Sequence, residues 1–152
     1  ARGAGSWVTR PDLEAERLRV ADKTRTDEMR LAASRSHRSP RTDAVIRALG
    51  ISEEVKRHSV GIKVGLIVER QADIYVHLSQ GTKQWDTCAP EAVLAEAGGV
   101  MTDLWGEPLR YNVPDVRNRN GLVATSAAAH ALVVRTITPL LAEFGRERIA
   151  DD

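Results

Sequence analysis

The sequence predicts an α/β domain, a mixed sheet flanked by helices. Short apolar segments of strand length alternate with stretches of helical character along the chain. The longer stretches carry capping and stop residues where helices should begin and end. Apolar residues make up 42% of the 152 residues but aromatics only 4%, so the core must rest on Val, Leu, Ile and Ala.

Each element has its own warrant. Residues 6–9 and 17–21 read as short strands, the second with Arg, Leu, Arg and Val alternating. Residues 29–33 read as a third. Ser39 and Pro40 open a helix that runs to Leu49: Ser is a favoured N-cap, Pro suits the first helical position, and Gly50 is the stop. Residues 63–69 have helical character, and residues 72–78, rich in β-branched and aromatic side chains, read as a strand. The next helix is expected from Asp86, as its N-cap, to Gly98-Gly99. Pro90 then falls at the fourth helical position, where a missing N–H costs nothing. Residues 100–104 and 122–125 read as strands on either side of a polar loop at 112–120. Residues 127–144 form the last helix, with Leu132, Val133, Ile137, Leu140 and Leu141 on one face. The tail at 149–152 is expected to fray.

Bulk properties exclude several classes. The net charge is +1, although residues 1–63 carry 14 Lys/Arg against 9 Asp/Glu. That excess suits a small phosphate site and is too sparse for a nucleic-acid face. A single cysteine, Cys88, forms no internal disulfide,. No apolar run reaches membrane length and no signal peptide is evident, so no membrane partner and a cytoplasmic location are expected. The opening Ala1-Arg2-Gly3-Ala4-Gly5-Ser6-Trp7-Val8 reads like the middle of a strand and turn, so the chain is expected to be a piece of a longer protein.

The segment from Lys83 to Ala92, Lys-Gln-Trp-Asp-Thr-Cys-Ala-Pro-Glu-Ala, carries the chemistry. A carboxylate at a helix start accepts bonds from first-turn amides and is held ionised by the helix dipole. Asp86 is therefore either a cap or a hard-oxygen ligand for magnesium, and its position alone allows both. Ser34 and Ser59 are hydroxyl donors or caps. His37, flanked by Arg35 and Arg38, reads as a phosphate or ribose contact or as a residue preceding a helix. Lys63 reads as a phosphate-binding ammonium or a surface lysine. Cys88 beside a carboxylate is a poor nucleophile and reads as a packed structural residue. His58, His77 and His130 lack metal-ligand spacing, which argues against zinc.

Trp85-Asp86 through Ala92, Ala97-Gly98-Gly99-Val100-Met101-Thr102-Asp103, and Gly106-Glu107-Pro108-Leu109 resemble the C-terminal signature of the inositol monophosphatase superfamily. Within it, Cys88-Ala89-Pro90-Glu91 is similar to the 3'(2'),5'-bisphosphate nucleotidase branch. Ser34-Arg35-Ser36-His37 resembles that branch's Ser-x-x-His element, and Ser59 to Lys63 resembles an element in which a small residue precedes a lysine by four. The resemblance covers roughly residues 28–126.

It implies the C-terminal lobe of a two-lobed αβαβα fold: residues 1–30 would end the first lobe's sheet and cross over, and residues 31–152 would form the second α/β lobe. It implies Mg2+ as cofactor with Asp86 as a ligand, and Ser34, His37, Ser59, Lys63 and Asp86 around a small-molecule nucleotide. His77 falls where some relatives place a nucleotide-binding Arg. The implied reaction is removal of the 3'-phosphate of 3'-phosphoadenosine 5'-phosphate to give AMP, with lithium inhibition. An inositol phosphate phosphatase and a non-catalytic nucleotide-binding module are the alternatives. The superfamily's Glu-Glu motif followed by Asp-Pro-Leu/Ile-Asp-Gly-Thr/Ser does not occur in the chain, so the missing first lobe is an expected partner and the chain alone is expected to be inactive.

Overall fold

The computed structural model describes residues 3–35 and 38–150. A five-stranded mixed sheet lies at the centre. Its strands are β3 (Arg30–Ser34), β4 (Glu53–Arg57), β5 (Ile74–His77), β6 (Gly99–Thr102) and β7 (Leu122–Ser126), in the order β4-β3-β5-β7-β6. β3 is parallel to β4 and β5, while β7 runs antiparallel to β5 and β6. A separate antiparallel ribbon joins β1 (Ser6–Val8) to β2 (Glu16–Leu18).

Alternation along each strand divides the core in two. Ala32, Tyr75, Leu122 and Ala124 face α2 (Val60–Val68) and α3 (Gln84–Glu96), where they meet Val64, Ile67 and Leu94. Leu31, Ala33, Ile74 and Val123 face α1 (Pro40–Leu49) and α4 (Ala127–Glu143), where they meet Val45, Leu49, Val133, Ile137 and Leu141. The ribbon lies beyond the α2/α3 layer. Glu96 accepts from the Gly3 and Gly5 amides at 2.8 Å each, and the Ser6 hydroxyl donates to the Val93 carbonyl at 2.5 Å. The resulting layers are ribbon, helices, sheet, helices.

The α1 caps form as predicted: the Ser39 hydroxyl accepts from the Thr42 amide at 3.3 Å, and Gly50 ends the helix at φ 69°. Three expectations need correction. β4 was not predicted, because Glu53-Glu54-Val55-Lys56-Arg57 lacks an apolar run; it is an edge strand, where charge protects an exposed backbone. α2 begins at Val60, three residues before its predicted start, because Ser59 caps it. The tail does not fray at 149–150: Ile149 exchanges two 2.9 Å bonds with the Asn120 side chain, and Arg148 bonds Asp103 at 3.0 Å. Among the described residues no helix is long and apolar enough to cross a membrane.

Candidate functional site

β3, β4 and β5 are mutually parallel, so their carboxyl ends share one edge of the sheet, and α1, α2 and α3 follow them in sequence. Those helices therefore begin at that edge, with amides and positive dipole ends directed to it. In open α/β sheets ligands bind outside the carboxyl ends of strands. Ser34 closes β3 in register with Arg57 at the end of β4. Ser59 caps α2, accepting from the Ile62 amide at 3.3 Å. The capping alternative for Ser59 thus holds, but the residue pays a conformational cost. Its φ of 52° and ψ of 156° lie in a region essentially reserved for glycine, a strain of about 1–3 kcal/mol. His37 lies outside the described residues.

Lys63 is not a surface lysine. It is 4% exposed, and its ammonium sits over the Tyr75 ring, 4.5 Å from the centroid. Its Nζ donates to the Tyr75 hydroxyl at 3.4 Å, the only polar side-chain partner it has among the described residues. Burial lowers its pKa. The Tyr75 hydroxyl also bonds His77 Nδ1 at 3.0 Å, and His77 Nε2 bonds the Ser79 hydroxyl at 2.7 Å. Burial pushes the Tyr75 phenol well up, and the Asp86 charge adds to the effect. A chain of polar side chains thus runs from α2 across β5 to the loop before α3. Tyr75 and Ser79 were not predicted, because an aromatic in an apolar strand reads as core and a loop serine reads as solvated.

Asp86 is not the N-cap. Lys83 occupies that position, Gln84 starts the helix, and Asp86 reaches back from the first turn to accept from the Lys83 amide at 2.9 Å. Pro90 consequently lies inside α3, and its missing N–H leaves the Asp86 carbonyl without the usual helical donor. The early start has a cause. Gln84 clasps the following loop: its side chain donates to the carbonyls of Val113 and Asp115 at 3.2 Å each and accepts from the Asn112 amide at 2.9 Å. Asn118 adds bonds to Thr82 and Thr87 at 3.2 and 3.4 Å. Cys88 is exposed rather than packed, because it lies on the outer face of α3.

A cavity of about 410 Å3 lies elsewhere, between residues 108–121 and Ile149-Ala150. Its polar groups are already engaged: Arg117 and Arg119 both bond Asp115, and Asn118 and Asn120 are committed as described. The carboxyl edge, with its buried ammonium, is the stronger candidate.

Residues 1–141 match the profile of the inositol monophosphatase family, and the chain belongs to that family. It is 36% identical over 90 residues to 3'(2'),5'-bisphosphate nucleotidase 1 of Rattus norvegicus, a match covering 59% of this chain and 29% of that protein. It is 30% identical over 131 residues to Inositol monophosphatase 3 of Danio rerio, covering 82% of this chain and 38% of that one. Among solved structures, CysQ from Bacteroides thetaiotaomicron superposes with a TM-score of 0.65 at 31% identity, over 82% of this chain and 51% of its own. Mycobacterium tuberculosis SuhB, with a TM-score of 0.69 at 15% identity over 92% of this chain and 52% of its own, supports the fold alone. The chain thus spans about a third of the curated relatives and half of the structural ones.

Enzymes of this family are generally metal-dependent. Asp86 suits one place in such a site: one carboxylate oxygen is held by Lys83, and Oδ1 has no hydrogen bond among the described residues. No group of three His, Cys, Asp or Glu side chains able to hold a metal occurs among the described residues. Glu91 is committed to the Tyr111 hydroxyl, and Asp103 accepts from Trp105, Glu107 and Arg148. These residues do not make a complete metal site.

Proposed function

We propose that this chain is the nucleotide-holding lobe of a magnesium-dependent phosphomonoesterase that removes the 3'-phosphate of 3'-phosphoadenosine 5'-phosphate to give AMP. The observation that carries the reading is Lys63, a buried ammonium at the meeting point of strand ends and helix starts, with no carboxylate beside it among the described residues. A desolvated cation without an acid partner is costly, and a phosphate oxygen would compensate it with a charge-assisted bond. Ser34 and Ser59 add hydroxyls at the same edge, and His37 belongs to the same motif. Likeness to named bisphosphate nucleotidases supports a nucleotide ligand. In this reading Asp86 contributes one ligand to a magnesium site completed by another part of the protein, lithium inhibits, and the location is cytoplasmic.

The test is phosphate release by the full-length protein with magnesium. Release should be much faster from 3'-phosphoadenosine 5'-phosphate than from inositol 1-phosphate. The reverse order would move the assignment to inositol phosphates. The 152-residue chain alone should release none, since one carboxylate does not satisfy an ion that needs several oxygen ligands. Metal-dependent hydrolysis by the monomeric chain would show the catalytic centre to be misassigned.

A further inference from the structure

Resting on that reading of the carboxyl edge, we infer that Tyr75 positions Lys63 and, through His77, turns the Ser79 hydroxyl toward the ligand as an additional donor for a phosphate oxygen. The number of hydrogens available fixes the direction of each bond. A charged lysine donates and never accepts, so at the 3.4 Å contact the Tyr75 oxygen is the acceptor. Tyr75 is 2% exposed, and its own hydrogen needs a buried acceptor. His77 Nδ1, at 3.0 Å, is the acceptor that the described residues offer. Were Nδ1 protonated instead, the Tyr75 hydrogen would be an orphaned buried donor, which is the costly case. Neutral His77 therefore carries its proton on Nε2 and donates it to the Ser79 oxygen at 2.7 Å. The Ser79 hydrogen is left outside the chain of bonds, on an exposed loop residue between β5 and α3.

The direction is robust for two reasons. The phenol pKa is pushed up by burial and by the Asp86 charge, so Tyr75 stays a neutral donor. The ring beneath Nζ, at 4.5 Å from its centroid, favours the charged lysine in the same place as the hydroxyl does,. Tyr75 thus touches no ligand. It acts through Lys63 on one side and through His77 and Ser79 on the other, which makes one residue set the placement of two donors on different elements.

Ring 15N and 13C spectra of histidine-labelled protein test the relay directly, with His77 assigned by its loss in His77→Gln. Wild type should show the Nε2–H tautomer, and Tyr75→Phe should lose the single tautomer while keeping the ring. In the full-length protein, Tyr75→Phe and Ser79→Ala should each raise KM for 3'-phosphoadenosine 5'-phosphate about three- to tenfold, the worth of one hydrogen bond, with kcat within about twofold. The double variant should be less than additive, because both changes break one chain. An Nδ1–H tautomer in wild type, additive effects, or unchanged KM in both variants would overturn the inference. If the full-length protein does not turn over the nucleotide at all, the functional reading fails, and the wild-type tautomer still decides for or against the relay.

Discussion

Lys63 is held where its charge is least tolerated by the fold alone. Van der Waals packing in α2 and the Tyr75 ring bury its stem and head, and burial lowers its pKa. A group stored at such a cost is usually kept for a ligand. Lys63→Met keeps the length of the side chain and removes the charge. It should leave Tm unchanged or higher while reducing nucleotide affinity by about 1.5–3 kcal/mol, the worth of a charge-assisted bond. A lower Tm with unchanged KM would make Lys63 structural. Asp86→Asn separates the two roles of that residue as well. Asparagine oxygen still accepts from Lys83, so α3 should form as before, whereas turnover in the full-length protein should be abolished at moderate magnesium. Lys63, Asp86 and Ser59 stand out in the sequence as candidates because they sit in spaced motifs. Tyr75 was not, since its hydroxyl acquires a role only when an amine three-dimensionally adjacent but 12 residues away reaches over its ring.

At the scale of elements, the site depends on how β5 and the loop after it are held. Gly121 turns into β7 at φ +66°, and a Cβ there would lie 2.4 Å from the His77 carbonyl and 2.7 Å from Leu104. No side chain fits without moving the end of β5. Gly121→Ala should therefore cost about 2–3 kcal/mol, measured by urea unfolding, through both the backbone conformation and the clash. It should also broaden the His77 ring signals; a stability change below about 0.5 kcal/mol would show that β7 can shift freely. The same elements mark the limit of the sequence reading. β-Branched and aromatic content exposed β5, a short apolar segment exposed β7, and Ser-Pro with Gly exposed α1. The start of α3 was misread because its anchor is not a local cap but the Gln84 clasp on residues 112–115, a contact some 28 residues distant. β4 stayed hidden because an edge strand is recognised by its neighbour, not by its composition.

For the whole molecule, two partly buried polar contacts tie layers together, and both weaken in acid. Asp73 is 4% exposed and joins the segment after β2 to the sheet. It accepts from Lys23 Nζ at 2.9 Å and from the Arg30 amide and Nε at 2.8 and 3.1 Å. Burial pushes its carboxyl up, and Oδ1 has no hydrogen-bond partner among the described residues, but the bonds from Arg30 and Lys23 outweigh burial and hold the pKa below the usual value. A depressed folded pKa gives stability that is present above the unfolded value and lost as pH falls through the folded one. His130, on α4, bonds the Thr102 hydroxyl of β6 at 2.9 Å. Burial lowers its pKa from the ordinary 6.5, so protonation favours the unfolded chain and stability again falls as pH drops below about 6.5. The two groups act in the same direction over different ranges. Unfolding free energy should decline in two stages as pH is lowered from 7 to 3, first from His130 and then, below the ordinary carboxylate range, from Asp73. His130→Gln, which can still reach Thr102 without titrating, should remove the upper stage and leave the lower one. A wild-type stability that rises between pH 7 and pH 5 would mean that the His130 contact does not hold α4 to the sheet, and a flat profile below the ordinary carboxylate range would mean the same of Asp73,.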